Sequence, residues 1–292
     1  MIIKIKYFLE LIAVKVALSL FRILGIKNAS NLGSFLARNI GKRLEVQNLA
    51  RSNLKSAMPL LQDQQIDQTL DNMWDNLGRI CGEFVHICKL DQKDLMKYVK
   101  ISEKTTQNLK YIKEKYNGGI IFSAHIGNWE IGPKSFLANG FNVRSIYREL
   151  NNIMVDNITS KARNVEMIAK NSKGNKQIIS EIKKGNYIII MVDQKITGGL
   201  DIPFFHKNAL TSPSPAKLAL KYQIPLIPAR IIRKNKKFEF EFKIDKIIEP
   251  SVKYKNDEKT TIKITKKINK IIESWVKEYP EQWFWVHDRW KR

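Results

Sequence analysis

Two rhythms of apolar positions divide this chain. Up to about residue 115 the hydrophobic residues recur at helical spacing. From 118 onward, short runs rich in Ile, Val and Phe alternate with helical stretches. In the first part, Leu44, Leu49 and Leu54 predict a short helix over 44 to 55. Ile66, Leu70, Met73, Trp74, Leu77, Ile80, Cys81, Phe84 and Val85 predict a longer one over 66 to 88. In the second part the strand-like runs are GGIIFSA (118 to 124), VRSIY (143 to 147), YIIIMV (187 to 192), IPLIPARII (224 to 232) and FEFEFKI (238 to 244). Helical stretches near 131 to 138, 152 to 163, 174 to 184 and 213 to 222 separate them. A closing helix over 259 to 278 turns Ile264, Ile268, Ile271, Ile272 and Trp275 inward. Alternation of this kind predicts an α/β fold: a mixed, largely parallel sheet flanked by helices. FEFEFKI, polar at every second position, reads as an edge or antiparallel strand with one wet face.

Residues 7 to 26, YFLELIAVKVALSLFRILGI, are the most apolar stretch, flanked by Lys4, Lys6 and Lys27. Charges interrupt it and no small-residue cleavage site follows, which argues against a secretory signal. Glu10, Lys15 and Arg22 would be costly inside hydrocarbon. On a helix Lys15, Ser19 and Arg22 share one side and leave a broad apolar face, the pattern of a helix lying in a membrane interface. A tilted span and an ordinary amphipathic helix packed on the domain are the alternatives. The expected organisation is a membrane-associated helix over 1–27 and a catalytic domain over 28–292, helical to about 115 and α/β from 116.

Charge changes the picture more than composition does. Lys and Arg number 51 against 28 Asp and Glu, a net charge of +23, which attracts polyanions: an anionic membrane, phosphorylated lipid, an acidic protein or nucleic acid. Nucleic acid is disfavoured, because the basic residues are spread over the chain with no interleaved basic and aromatic motif. Cys81 and Cys88, both in a helical stretch, read as buried small hydrophobes rather than a disulfide or metal pair.

In open α/β sheets ligands bind beyond the carboxyl ends of the strands. His125 follows the first run, Arg148 the second and Asp193 the third, while Arg163 ends the helix after the second. A His, an Arg and an Asp therefore converge on one rim. In SAHIGNWEIG (123 to 132), His125 and Glu130 would lie about 140° apart on one helix, unable to meet. Placing His125 in the strand-to-helix turn, with Asn128 as N-cap and Glu130 in the first helical turn, lets the carboxylate reach back to the imidazole. A His so paired is a general base. No Ser or Cys nucleophile accompanies it, so direct attack by an acceptor hydroxyl is the simpler scheme. One His and one Glu make a poor metal site, and neither metal nor cofactor is expected.

H-x-x-x-x-E at His125 to Glu130 resembles the signature of glycerolipid-type acyltransferases. The wider text resembles the late, or secondary, lipid A biosynthesis acyltransferases: NLARSNLKSAMP (48 to 59), NLGRICGEF (76 to 84), YRELNN (147 to 152), KARN (161 to 164), MVDQ (191 to 194), PFF (203 to 205) and PEQWFWVHDRWKR (280 to 292). YREL departs from the more usual YR-P-L pattern. The resemblance implies an acyl donor carried on acyl carrier protein and, as acceptor, a hydroxyl of a phosphorylated glucosamine-disaccharide lipid. It also implies an inner-membrane location with the site facing the cytoplasm. It makes His125 the base and Glu130 its orienting partner, and places Arg163, Asp193 and, more weakly, Arg148 among the substrate-binding positions. Thr211 reads as a helix cap, and His287, Arg289 and Trp290 as core. His86 and His206 take structural readings. A long acyl chain requires a deep apolar recess near His125. The competing readings are an acyltransferase acting on another glycolipid, phospholipid or aminolipid, and a basic protein that binds membrane or nucleic acid without catalysis.

Overall fold

The computed structural model of the chain describes residues 2–251 and 255–290, with side chains from residue 5 onward. The Lys4 side chain and the last two residues of the terminal motif lie outside that range. Helices α1 (Ile2–Gly41), α2 (Val46–Ala57), α3 (Asp63–Lys89) and α4 (Gln92–Met96) come first. Then follow β1 (Val99–Ile101), α5 (Glu103–Lys115), β2 (Gly119–Ser123), α6 (Gly132–Ala138), β3 (Val143–Tyr147), α7 (Ile153–Ala162), β4 (Met167–Ala169), α8 (Ser172–Lys183) and β5 (Tyr187–Met191). The hairpin β6 (Leu200–Phe204) and β7 (Lys207–Thr211) leads to α9 (Ser214–Tyr222), β8 (Leu226–Arg233), β9 (Phe240–Ile244) and α10 (Glu258–Glu278).

The main sheet has the order β1-β9-β8-β2-β5-β3-β4 and is parallel throughout, apart from the antiparallel pair β8–β9. Its central strands β2, β5 and β8 are buried on both faces over most of their length, so they read as nearly unbroken apolar runs. On one face Ile120, Phe122, Ile188 and Leu226 meet Ile268, Ile272 and Trp275 of α10; on the other, Ile121, Ile189, Ile231 and Phe242 meet Leu109, Ile112 and Phe136. The alternating FEFEFKI strand pairs antiparallel with β8, as its pattern suggests, but it is not at the edge, because β1 covers it. Strands β1 and β4 are too short for their periodicity to announce them. α5 is mostly polar, burying only Thr105, Leu109 and Ile112. β1 also lies inside the stretch read as a helical lead-in, so the sheet draws on the chain before residue 116.

Helix α1 is broken at Gly25, whose backbone (φ 70°, ψ 161°) is non-helical. Beyond the break its backbone presses onto α3: a Cβ on Gly33 would stand 2.1 Å from the Gly78 carbonyl oxygen, and one on Gly82 equally close to that of Ala29. Before the break, Ile5, Phe8, Leu9, Ile12, Val16, Leu20 and Ile23 are exposed at helical spacing, forming one apolar stripe. Lys15 and Arg22 border it on one side and Lys6 on the other, by the same spacing. No helix among the described residues is long and apolar enough to cross a membrane. The tip of α1 touches the α/β part through Asn152, whose side-chain amide donates to the Tyr7 carbonyl (2.8 Å) and to Glu10 (3.0 Å). Lys134 of α6 caps the carboxyl end of α3, donating to the carbonyls of Ile87 (2.6 Å), Cys88 (3.0 Å) and Leu90 (2.8 Å).

Candidate active site

The parallel register of β2 and β5 decides which carboxylate meets the histidine. Gly119 pairs with Tyr187 and Ser123 with Met191, so continuing the same offset past the strand ends sets His125 opposite Asp193. Asp193 Oδ1 accepts from His125 Nδ1 at 2.8 Å; Oδ2 accepts from the His125 backbone N–H at 2.7 Å and from Trp283 Nε1 at 2.9 Å. The expected pairing of His125 with Glu130 does not occur. α6 starts only at Gly132, and Asn128 does not cap it. Its Oδ1 accepts from the Glu130 backbone in the preceding turn (3.3 Å). Glu130 is instead drawn to Arg163, which grips it with Nε (2.7 Å) and Nη2 (2.9 Å). Planar guanidinium and carboxylate match in that bidentate geometry, so the carboxylate has no reason to turn back. Asp193, which the resemblance sets among the substrate-binding positions, is the partner of the imidazole.

Electrostatics follow this arrangement. Burial alone lowers the His125 pKa, but the adjacent Asp193 charge, its hydrogen bond and the more distant Glu130 outweigh it and raise the pKa above the ordinary value. Burial likewise raises the Asp193 carboxyl, yet His125 and the donors around it hold it well below the usual range. For Arg163, burial is overcome by Glu130, which keeps it firmly charged.

A built frame holds the His125 loop. Gly127 has φ +61°, and a Cβ there would stand 1.7 Å from the Ile231 carbonyl oxygen, so only glycine lets the loop lie on β8. The chain terminus closes the other side: Phe284 N–H donates to the His125 carbonyl (3.0 Å) and Gly127 N–H to that of Gln282 (3.1 Å). From α3, Asn76 donates to the Gly127 carbonyl (2.9 Å). Glu83, fully buried, accepts from Asn128 (2.9 Å), Ser30 (2.7 Å) and both Arg233 Nη atoms (2.6 and 2.8 Å). Asn53 of α2 donates to the carbonyls of Trp285 (2.9 Å) and His287 (2.8 Å). The quoted motifs NLARSNLKS and NLGRICGEF thus support the site from behind. These polar residues lie on apolar helix faces, where helical periodicity treats them as interruptions; that mismatch is the sequence signal for them.

The terminal segment is more than core. Trp283 reaches Asp193, and the His287 ring stands edge-on to His125, centroids 5.0 Å apart, with Trp129 on another side at 5.2 Å. Arg289, read as core, is indeed buried; it donates to the Leu210 carbonyl (2.9 Å) and to Thr211 Oγ1 (2.8 Å). Thr211 is therefore not a helix cap, and α9 begins at Ser214. His86 bonds the Phe21 carbonyl (2.9 Å), away from the site. Of the cysteines, Cys81 is exposed and Cys88 half-buried, so neither is the fully buried residue expected. Helical spacing marks the apolar face of α3 but not which turns the rest of the protein covers.

His125, Glu130, Arg148 and Arg163 line one cavity of about 1110 Å³. Ile121, Phe136, Ile189, Ile231 and Phe242 form an apolar wall on one face of the sheet. From the other face come Ile178, Val192 and Leu218 with Lys170, Lys195 and Lys217. The expected recess is present, and a basic region adjoins it. Arg148 is exposed on the rim, without an ion pair among the described residues. Asp193 lies behind His125, nearly solvent-free. Among the described residues, His125, Asp193 and His287 bring their ligand atoms within 4.8 Å of one another. Three donors already occupy the two Asp193 oxygens, so the trio is arranged as a hydrogen-bonded unit rather than an open metal site.

A histidine braced by a buried carboxylate at the carboxyl edge of an α/β sheet, beside a cavity, has the geometry to accept a proton from a bound group. The sequence profile of the bacterial lipid A biosynthesis acyltransferase family matches residues 2–292, and the chain belongs to that family. It is similar to a lipid A biosynthesis acyltransferase of Haemophilus influenzae, 24% identical over 247 residues covering 81% of this chain and 73% of that protein. A lipid A biosynthesis palmitoleoyltransferase of Escherichia coli is 24% identical over 262 residues, 88% of this chain and 81% of that protein. Family membership makes this protein an acyltransferase of lipid A biosynthesis.

Proposed function

We propose that the protein transfers a fatty acyl chain from acyl carrier protein to a hydroxyl of a phosphorylated glucosamine-disaccharide lipid A precursor, with His125 as general base. The observation that carries this reading is His125, paired with Asp193 behind it, bordering a cavity lined by apolar side chains and by lysines. Nδ1 is engaged by Asp193, which leaves Nε2 for the acceptor hydroxyl. As the hydroxyl oxygen attacks the thioester carbonyl carbon, its proton passes to Nε2 and Asp193 stabilises the imidazolium. Collapse of the intermediate breaks the carbon–sulfur bond, and the proton leaves with the carrier thiol. Glu130 acts through Arg163: the bidentate clasp uses Nε and Nη2 and leaves Nη1 for an acyl carbonyl or a substrate phosphate. Arg148, Lys170, Lys195 and Lys217 supply positive charge to the anionic acceptor and to the acidic carrier. The apolar wall accommodates the acyl chain.

The same reading places the protein on the cytoplasmic face of the inner membrane. The exposed stripe of α1, bordered by Lys6, Lys15 and Arg22, suits an in-plane helix with its apolar side among acyl chains. The test is acyl transfer by detergent-solubilised protein from acyl carrier protein to a tetraacylated lipid A precursor. His125→Ala is expected to lower the rate about 100-fold or more. Undiminished transfer by that variant removes His125 as base. Wild-type protein that ignores this acceptor, yet hydrolyses the donor in a His125-dependent way, keeps the chemistry and changes the acceptor.

A further inference from the structure

His287 is the imidazole that the mechanism above leaves idle. It sits against the catalytic ring in a cluster that contains two histidines and a single carboxylate within reach of both. The carboxylate is already committed: its two oxygens receive the His125 ring, the His125 backbone and the Trp283 indole. The partner of His287 is a neutral amide, with Gln194 Nε2 3.3 Å from His287 Nε2. Its ring also meets Phe284 edge-on at 4.8 Å, and its backbone carbonyl accepts from Asn53 and from the Arg289 N–H (both 2.8 Å). The imidazole is therefore fixed from both ends. One negative charge can serve one imidazolium well, and the geometry gives it to His125.

We propose that His287 is a positioning residue for acyl transfer: it braces the His125 ring edge-on and leaves Asp193 to His125 alone. The inference rests on the reading of His125 as the base. Other groups around the pair act in both directions. Asp193 attracts a proton to either ring, and Glu130 adds to that attraction at His125; the two rings repel as cations, and Arg289 disfavours a charge on His287. Asp288 on the terminal segment and Lys195 beyond β5 complete the charged groups near the pair in sequence. Burial lowers the His287 pKa to about 4, against the pull of Asp193, which keeps the ring neutral at working pH. A neutral aromatic neighbour orients the base without competing for its counter-charge. A cation there would compete.

The test compares His287→Gln, His287→Lys and His287→Glu with wild type. It reads the midpoint of the His125 ring titration by NMR, and the acid limb of the pH–rate profile for acyl transfer. His287→Gln is expected to slow transfer about 10-fold through looser placement of the base, with the limb near its original position. The charged variants move the His125 midpoint in opposite directions, down by about one pH unit or more for Lys and up for Glu. Either charged variant suffices should the other fail to fold. Equal midpoints in the Gln and charged variants overturn the proposal, because a residue that only fills space would leave the titration in place. Loss of transfer in His287→Gln as complete as in His125→Ala also overturns it, since His287 would then move a proton itself. The NMR midpoint needs no turnover, so it separates failure of this proposal from failure of His125 as base.

Discussion

Two acidic side chains, Asp193 behind His125 and Glu130 on the cavity wall, are held in different ways. Asp193 is placed by backbone: it follows β5 as His125 follows β2, and the register of the two strands brings the pair together. A backbone N–H and a buried indole then lock it. Glu130 is placed by one side chain, Arg163, across a turn that precedes its helix. The first arrangement suits a group that must fix a proton's location. The second suits a group that orients a movable cation towards a substrate. An acid five residues from the histidine is nearer in sequence than one 68 residues away, yet the sheet register makes the distant one adjacent.

Substitution at the two acids tests this contrast directly. Asp193→Asn is expected to cost about 10²- to 10⁴-fold in kcat, as when a base loses its orienting carboxylate. Its acid limb should move to lower pH. The sign follows from Asp193 raising the His125 pKa: the active base is the neutral ring, so activity rises as pH climbs through that pKa, and removing the charge lowers the midpoint. A profile unmoved by Asp193→Asn would sink the assignment. Glu130→Gln should leave the acid limb closer to its place and cost less, about 10- to 100-fold, through misplacement of Arg163. The double variant with Arg163→Lys should be little worse than either single one, because each breaks the same clasp. Simple multiplication of the two losses would show that Glu130 acts independently of Arg163.

Smaller effects probe the supports. Glu83→Ala leaves buried Arg233 without its carboxylate, which is expected to cost about 3–5 kcal/mol of stability and is measurable by denaturant unfolding. A loss below about 1 kcal/mol would mean that the pair is not the frame of the His125 loop. The smallest effect on chemistry is expected on the exposed stripe. Val16→Glu should weaken binding to anionic vesicles while transfer to a detergent-dispersed acceptor persists, and equal vesicle binding by both proteins would remove the stripe as the contact.

Much of the architecture is legible in the chain. Each apolar run from IIFS to FEFKI is a strand, and the helices between them lie close to where periodicity sets them, because a strand buried on both faces must be apolar and one buried on a single face must alternate. The rim bearing His125 and Arg148 is legible too, since the residue after a parallel strand lies at its carboxyl end. Aligning IIFSAH with IIIMVD even puts His125 against Asp193, but only once β2 and β5 are known to be neighbours. Strand order is a property of the folded sheet, and nothing local in either run specifies it. The terminal segment makes the same point. His287 and Trp290 read as core, yet in the fold His287 stands against the His125 ring and Trp283 of the same segment donates to Asp193.

The kinds of element, the apolar faces and the residues able to carry acid–base chemistry follow from side-chain type and short-range spacing, so the chain alone reveals them. The tertiary structure alone decided which carboxylate serves the histidine, that Glu130 serves Arg163, and that the last ten described residues close the site. Those are contacts across long chain separations, set by strand order, by the one glycine that lets the His125 loop lie on β8, and by buried polar groups that had to find partners as they left water.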